Sequence, residues 1–440
     1  MRSGMKEINE ELLAGLRKDY EADQNARVLQ GVLAKADMGR ISCVPENSSK
    51  LAGAFTYEIK TRGITAQEMS GRCWLFAALN ILREKVSEKL KIEEFELSQN
   101  YLSFYDKLEK ANNFLQMVID HADEPVKGQL MQYVLRGMSD GGYWCPAADL
   151  IEKYGVLPKA YFPETFQSGH TIGYINAINK LLRKDAMELR ELVAAGKDPY
   201  ERKSEMMAEI YKAQCIAFGQ PPRVFDFTWK DKKDKFHEDR NLTPQEFYKK
   251  YTGFAIRDYA AVINEPLPGR AMDTPITFHG IENMVGRDMT ALNISQEALE
   301  ELCVKMLKGG EAIWIACDAG AYLARKEGIW DPDSVTTNEL LGGFSSTMEK
   351  GKALLYSQSS ANHAVLLTGV HLDEEGKPDR WKIENSWGKD VGKGGYFTCS
   401  EAYFKRFVYE AAINKKYFTK DQLAMLDKEP ERIHAWDEDL

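Results

Sequence analysis

The stretch that decides the fold is Ser-Gly-Arg-Cys-Trp-Leu-Phe-Ala-Ala-Leu-Asn at positions 70–80. Apolar residues recur at 75, 78, 79, 82 and 86, the 3.6-residue period of a helix, which predicts a buried helix starting close to Cys73. Unpaired N–H groups and the positive end of the helix dipole at such a terminus favour a thiolate. Although a lone buried cysteine is more often inert packing, Cys73 is the candidate nucleophile.

Three polar residues complete the chemistry that a thiolate needs. Gln67 lies six positions upstream on a segment without helical period, and its amide can donate to an oxyanion beside the Cys73 N–H. His363 stands at the entry of an apolar strand, and Asn385 follows 22 positions later. An Asn oxygen can accept from one imidazole nitrogen and leave the other facing the thiol. Taken singly each residue is more often structural, but together they predict an acyl-transfer site.

The order Gln-x5-Cys-Trp, Asn-His-Ala-Val and Glu-Asn-Ser-Trp-Gly resembles the papain superfamily of cysteine peptidases. In papain the His and Asn follow the Cys by about 130–150 residues. Here His363 follows Cys73 by 290 positions, which predicts an insertion of about 140 residues. The whole chain resembles the bleomycin hydrolase / aminopeptidase C group. Besides 70–80, the similar stretches are Leu-Ser-Gln-Asn-Tyr at 97–101, Asp-Gly-Gly at 140–142, Glu-Lys-Tyr-Gly-Val at 152–156, Gly-Glu-Ala at 310–312 and Ala-Trp-Asp at 435–437.

The resemblance implies an α+β, papain-like fold with a helical domain, an antiparallel β-barrel-like domain and a large helical insertion. It implies that Cys73 is the nucleophile, His363 the base, Asn385 the orienting residue and Gln67 the oxyanion donor. Members of that group are cytosolic thiol aminopeptidases that assemble as homohexamers around an enclosed channel. A C-terminal arm lies in their substrate cleft, and its terminal carboxylate receives the free amine of the peptide. The resemblance also allows bleomycin-hydrolase-like amide cleavage.

The apolar periodicity of the chain independently predicts the order of its helices and strands. Apolar residues at 175, 178, 182, 186, 189 and 193, and then at 206, 210, 213 and 217, predict a helical hairpin broken by Gly196 and Pro199. Residues 4–22 predict an exposed helix, and residues 312–317, 363–370, 380–387 and 395–399 predict strands. Helices followed by strands are typical of an α+β protein. The expected division is an N-terminal helix and arm (1–60), a helical catalytic half (61–165), a helical hairpin insertion (166–265), a β-rich catalytic half (266–424) and a C-terminal arm (425–440).

The composition of the chain limits the classes of partner and cofactor that we expect. The 440 residues carry 58 basic and 67 acidic side chains, a net charge of −9 that disfavours nucleic-acid binding. The segment 229–240 balances five basic against four acidic residues and is interpreted as a solvated face. Seven cysteines without a Cys-x-x-Cys pair, and no His-Glu-x-x-His or Gly-x-Gly-x-x-Gly, predict free thiols, no metal and no cofactor. Without an apolar leader or an apolar run of about 18 residues, we expect a cytoplasmic protein without membrane contact.

The end of the chain leaves alternatives open. After residues 435–437 the resembling family continues with small and apolar residues, whereas Glu438-Asp439-Leu440 stands here, and Ala66 and Glu68 flank Gln67 where that family has an Asn-Gln-Lys-like run. A shorter arm fits an endopeptidase or a deamidase that uses the same Cys–His pair. Six acidic and two basic side chains between 425 and 440 would attract a cationic peptide N-terminus, or form only a frayed, solubilising end. An oligomer that binds nucleic acid is the alternative of another class.

Overall fold

The computed structural model describes residues 7–438. The α-helices over this range are α1 (Glu10–Ala22), α2 (Gln24–Leu33), α3 (Met38–Ile41), α4 (Pro45–Lys50), α5 (Cys73–Leu90), α6 (Gln99–Asp120), α7 (Gln129–Val134), α8 (Trp144–Tyr154), α9 (Phe166–Gly169), α10 (Ile172–Ala194), α11 (Tyr200–Phe218), α12 (Pro244–Phe247), α13 (Gln296–Lys308), α14 (Thr337–Leu340), α15 (Lys350–Leu355), α16 (Glu401–Phe407), α17 (Lys420–Leu426) and α18 (Ala435–Glu438). Short 3-10 or π turns cover Lys159–Tyr161, Tyr248–Thr252, Ile256–Asp258 and Lys415–Tyr417.

The strands alternate with the later helices. They are β1 (Tyr57–Glu58), β2 (Phe225–Lys230), β3 (Phe236–Leu242), β4 (Tyr259–Ile263), β5 (Thr274–His279), β6 (Met289–Asn293), β7 (Ile313–Cys317), β8 (Leu323–Ala324), β9 (Ile329–Trp330), β10 (His363–Leu372), β11 (Pro378–Glu384), β12 (Tyr396–Ser400), β13 (Val408–Asn414) and β14 (Glu431–His434). All but β2 and β3 join one sheet in the order β14-β5-β6-β4-β13-β7-β10-β11-β12-β9-β8, with β1 pairing to β10. The predicted α+β class is confirmed, and the sheet is mixed, since β4–β6, β5–β14 and β9–β12 are parallel pairs.

Helix α5 begins at Cys73, as the apolar period predicts. It is apolar on most of its circumference, and Trp74, Phe76, Leu79 and Leu82 are completely buried. A helix that is hydrophobic all round belongs in the core of a protein. Accordingly α5 packs against β10 and β7, and the indole N–H of Trp314 on β7 donates to the carbonyl of Trp74 at 3.0 Å. This packing fixes the N-terminus of α5 against the central strands.

The predicted helical hairpin is present as α10 and α11. Both helices pack on α6, and the three share a second hydrophobic core that is separate from the core around α5. The segment 229–240 follows as most of the β2–β3 hairpin, with its charged side chains largely solvent-facing. The N-terminal helix is confirmed from Glu10 to Ala22, and it buries none of its residues. The first part of the predicted helix, residues 4–6, lies outside the described residues.

The C-terminal arm returns across the molecule. Strand β14 pairs in parallel with β5, and α18 then packs against α7. Asp439 and Leu440, on which the predicted role of the terminal carboxylate depends, lie outside the described residues. Within residues 7–438 the seven cysteines form no disulfide, and no helix there is long and apolar enough to cross a lipid bilayer.

Candidate active site

The N-terminus of α5 opens into a cleft of about 550 Å³ between the helices and the sheet. Three of the four predicted site residues, Gln67, Cys73 and His363, line this cleft together. Cys73 is the first residue of α5, while His363 is the first residue of β10, the strand against which α5 packs. The fold therefore brings together two residues that are 290 positions apart.

The fourth predicted residue, Asn385, forms a hydrogen bond with the histidine. The Nε2 atom of His363 lies 2.9 Å from Asn385 Oδ1, which also accepts from the backbone N–H of Ser386 at 2.8 Å. Because this oxygen is an acceptor, Nε2 of His363 carries the hydrogen, and Nδ1 of the neutral ring is left as a proton acceptor. The ring of Trp387 stacks on the imidazole at a centroid distance of 4.8 Å.

Burial disfavours the charged forms of both Cys73 and His363. It raises the pKa of Cys73, although hydrogen bonds from the backbone of Ala364, Trp74 and Cys73 act in the opposite direction. Burial also lowers the pKa of His363 to about 4, against the opposing effect of the hydrogen bond to Asn385, and the charge of Arg325 adds to the lowering. A proton transfer from Cys73 to His363 creates both charges at once and leaves the net charge of the cleft unchanged. Burial thus disfavours an isolated thiolate and an isolated imidazolium alike.

Gln67 is held rigidly in the cleft wall. Its backbone N–H donates to the carbonyl of Ser386 at 2.8 Å, and its side-chain Oε1 accepts from Ser386 Oγ at 2.7 Å. Its Nε2 donates one hydrogen to the carbonyl of Ser70 at 2.5 Å. A primary amide has two such hydrogens, so the second is available to an oxyanion. This is the geometry of a preorganised donor.

Asp140 fixes the opposite wall, and sequence reasoning assigned it no role. Its carboxylate pairs with the buried ammonium of Lys107 at 2.5 Å, accepts from the Gly71 N–H at 3.0 Å and contacts the hydroxyl of Thr171. Its carbonyl accepts from the indole of Trp74 at 2.8 Å. Burial raises the pKa of Asp140, but Lys107 and these donors outweigh burial and bring it to about 2. Asp140 therefore remains charged and ties the loop 139–142 to α5 and α6.

A second buried ion pair ties α5 to the strand that carries Asn385. Arg83 on α5 contacts Glu384 at the end of β11 at 3.1 Å, and both side chains are within 1% of complete burial. The Nδ2 of Asn80 donates to the same carboxylate at 2.9 Å. These contacts set the distance between the helix of Cys73 and the loop of Asn385. Asn80 and Glu384 belong to stretches that the sequence analysis singled out, but their contact could not be predicted, because the partners are about 300 positions apart.

One group of side chains away from the thiol could hold a metal ion. His279, Glu282 and Asp288 bring their ligand atoms within 4.8 Å of one another, a cluster that the sequence motifs did not reveal. His279 Nδ1 lies 3.0 Å from Asp288 and 3.6 Å from Glu282. These are hydrogen-bond and ion-pair distances, so the three residues satisfy one another without an ion.

This fold and this arrangement of cysteine, histidine and asparagine are those of the papain-like cysteine peptidases. The model of the Peptidase C1-like family matches residues 7–439, and the chain belongs to this family. Aminopeptidase C of Listeria innocua is 36% identical over 433 residues, 98% of each chain. Aminopeptidase W of Lactobacillus delbrueckii subsp. lactis is 34% identical over 438 residues, 98% of this chain and 99% of the relative. The crystal structure of PepW from Lactobacillus rhamnosis HN001 superposes with a TM-score of 0.95 at 37% identity, over 98% of each chain.

Proposed function

We propose that the protein is a cysteine aminopeptidase, which removes N-terminal residues from peptides by acyl transfer through Cys73. The observation that carries this proposal is the hydrogen bond from His363 to Asn385 in the cleft that Cys73 lines. Relatives that resemble the chain over nearly its whole length are named aminopeptidases, which supports the exopeptidase activity. Peptides are the substrates that membership of a peptidase family implies.

Each residue of the site has its own step in the proposed reaction. The Cys73 thiolate attacks the scissile carbonyl, and the Cys73 N–H with the free hydrogen of Gln67 Nε2 stabilises the oxyanion that develops. The His363 imidazolium then protonates the leaving amine, and an acyl group remains on the sulfur. Neutral His363 takes a proton from water, the hydroxide attacks the acyl carbonyl, and the returning proton regenerates the thiol. Asn385 keeps the imidazole in one orientation throughout.

The position of the arm supports a preference for free amines. Trp436 on α18 packs against Tyr133. Its indole ring also lies against Gly280, where an added Cβ atom would be 2.9 Å from that ring. Tyr133 and Gly280 both line the cleft of Cys73. Trp436 therefore lies beside the cleft, and an acidic arm at this place would attract a peptide ammonium and exclude longer N-terminal extensions. A cytoplasmic location and a homohexameric assembly belong to the same proposal and rest on the family resemblance.

The test combines one variant with a panel of fluorogenic peptides. Cys73→Ala removes only the thiol group, so we expect a folded protein without measurable hydrolysis. Cys215→Ala on α11, remote from the cleft, serves as the matched control and should retain full activity. Alkylation should abolish wild-type activity, with the modified residue identified by peptide mapping. An active, alkylation-resistant Cys73→Ala protein would refute the proposed nucleophile.

The same panel separates an aminopeptidase from an endopeptidase. Each peptide is supplied with a free and with an acetylated N-terminus. We expect the free forms to be cleaved at least about 10-fold faster, which corresponds to about 1.4 kcal/mol of preferential binding. Equal rates would assign the endopeptidase activity that the short arm suggested. Release of ammonia without peptide cleavage would assign the deamidase.

A further inference from the structure

A positively charged side chain is stacked next to His363 through Trp387. Arg325 stands in the turn between β8 and β9, and its guanidinium carbon lies 4.5 Å from the ring centroid of Trp387. The ring of Trp387 stacks in turn on the imidazole of His363, with the two centroids 4.8 Å apart. Arg325 is exposed, and among residues 7–438 no carboxylate lies within ion-pair distance of it. The proposed reaction makes no use of this charge.

The turn that carries Arg325 is anchored by packing on the same tryptophan. Strands β8 and β9 form an antiparallel pair, and β9 joins β12 of the main sheet. Trp330 on β9 is completely buried, and its indole N–H donates to the carbonyl of Ala319 at 3.1 Å. The ring of Trp330 meets that of Trp387 edge-on at a centroid distance of 6.1 Å. The packing of Trp330 therefore places the turn of Arg325 beside Trp387.

The guanidinium lies outside the cleft that the arm approaches. Trp436 of the arm contacts a residue that lines the cleft of Cys73, whereas Trp387 and Arg325 do not line this cleft. Arg325 borders a separate groove of about 760 Å³. In the proposed reaction the N-terminal part of the peptide lies on the side of the arm, and His363 protonates the amine that leaves. The leaving part of the substrate must then extend away from the arm, past His363 and towards Arg325.

The distances match a short leaving group. The two stacking distances place the Arg325 guanidinium within about 9 Å of the imidazole centroid, the span of two to three extended residues. A C-terminal carboxylate one or two residues beyond the scissile bond is therefore within hydrogen-bonding reach of the guanidinium. The planar guanidinium binds carboxylates through two parallel hydrogen bonds. A longer peptide presents only neutral backbone at this place.

The groove as a whole is nearly neutral, so recognition of an anion depends on one side chain. Its charged lining consists of three basic residues (Arg40, Arg325, Lys326) and three acidic residues (Asp37, Glu327, Asp390). Arg325 is the one whose charge acts on the histidine. Burial lowers the pKa of His363 to about 4 against the hydrogen bond to Asn385, and the charge of Arg325 adds to the lowering. A carboxylate bound to Arg325 would offset this charge beside the imidazolium that protonates the leaving amine.

We propose that Arg325 is a specificity-determining residue that binds a carboxylate on the leaving part of the substrate. This carboxylate is supplied either by the free C-terminus of a dipeptide or tripeptide, or by an Asp or Glu side chain directly after the scissile bond. Short peptides are the substrate class that follows, because only in them is the C-terminal carboxylate this near to the bond that is cleaved. The inference rests on the proposed peptidase function and names a substrate class for the same site.

The experiment compares wild type with Arg325→Met, which keeps an unbranched side chain against Trp387 but loses the charge. The substrates are Leu-Leu and Leu-Leu-Leu, each as the free acid and as the C-terminal amide, together with Leu-Glu-amide and Leu-Gln-amide. Chromatography with mass detection measures the released products. If the C-terminus is the ligand, wild type should cleave the acids at least about 5-fold faster in kcat/KM than the amides, and Arg325→Met should lose this preference. If a side chain is the ligand, the preference for Leu-Glu-amide over Leu-Gln-amide is lost instead.

Controls keep the two proposals distinguishable. Lys326→Met removes the neighbouring exposed charge of the same turn and should leave both ratios unchanged. An equal loss on charged and neutral substrates, or unchanged ratios, would overturn the role of Arg325 while thiol-dependent cleavage stands. Failure of the proposed function would instead show as wild type without such cleavage. Should Arg325→Met misfold by circular dichroism, wild type decides, since the absence of any preference for the carboxylate substrates overturns the inference.

Discussion

Gln67 can act as an oxyanion donor because its amide is fixed before a substrate arrives. The Ser386 hydroxyl and the Ser70 carbonyl hold the oxygen and one hydrogen of the side chain. The other hydrogen therefore needs no reorganisation when charge develops on the substrate. The sequence pointed to this residue through its spacing from Cys73, and the structure places it in the same cleft. Its role is open to a direct kinetic test.

Removing this donor should affect the transition state more than the bound substrate. For Gln67→Ala we expect kcat to fall about 100- to 1,000-fold with KM changed less than about 3-fold. Gln358→Ala, which removes an exposed amide bonded to the Ser346 carbonyl, is the matched control and should leave both constants unchanged. Steady-state kinetics on a free-amine peptide decide the question. A decrease in kcat below about 3-fold would exclude Gln67 as an oxyanion donor.

Residues whose role depends on a partner far away in the sequence could not be predicted. Cys73, His363, Asn385 and Gln67 stand in short motifs whose chemistry can be interpreted position by position. Lys107 and Asp140 are 33 positions apart, and each alone looks like an ordinary solvated charge. A buried charge is recognisable only when both its burial and its partner are known.

Elements with an uninterrupted apolar period were predicted well. The strand predicted at 312–317 is observed at Ile313–Cys317, and the one at 395–399 at Tyr396–Ser400. The strand predicted at 380–387 ends at Glu384, because the backbone beyond it bonds to the loop of Gln67 instead of to the sheet. Helix α6 was not predicted. Its buried face includes polar residues such as Asn100, Asp106 and Lys107, which interrupt the apolar period.

The stability of the loop 139–142 should depend on pH through the ionisation of Asp140. Its pKa of about 2 lies below the ordinary value of 3.8, so ionised Asp140 stabilises the fold above about pH 4. This contribution disappears as the pH falls through about 2. At pH 7, Asp140→Asn removes the carboxylate that pairs with the buried Lys107 and should lower the unfolding free energy by about 3–5 kcal/mol.

Urea unfolding across a pH series measures this effect. The difference between wild type and Asp140→Asn should be constant above about pH 5 and should narrow between about pH 4 and pH 2. The control is Glu375→Gln, which breaks an exposed pair with Lys377 and should cost less than about 1 kcal/mol at any pH. A difference that stays constant down to pH 2 would show that the charge of Asp140 does not stabilise the loop.

At the scale of the whole molecule, one hydrophobic core joins the helical wall and the sheet that form the cleft. It runs from α5 and α8 through β7, β10 and β13, so the two walls cannot move apart without exposing it. The helical hairpin has its own core on the outer side of α6. The arm is attached differently, by β14 at the sheet edge and by aromatic contacts of α18. One core therefore joins both walls of the cleft, while the arm is attached at the edge of the sheet.

Replacing Trp436 should detach the arm from the cleft without disturbing the residues of the cleft itself. Its ring lies 4.7 Å from His434, 5.4 Å from His279 and 6.3 Å from Tyr133. Trp436→Ala removes these contacts but leaves the pairing of β14 with β5, so the protein should fold and retain its thiol. If the arm excludes N-terminal extensions, acetylated peptides should gain about 10-fold relative to free ones, since about 1.4 kcal/mol of exclusion is lost. Trp229→Ala, in the aromatic cluster of the β2–β3 hairpin, is the control and should leave that ratio unchanged. A Trp436→Ala enzyme that is less stable but equally selective would mean that the arm supports the fold without limiting the substrate.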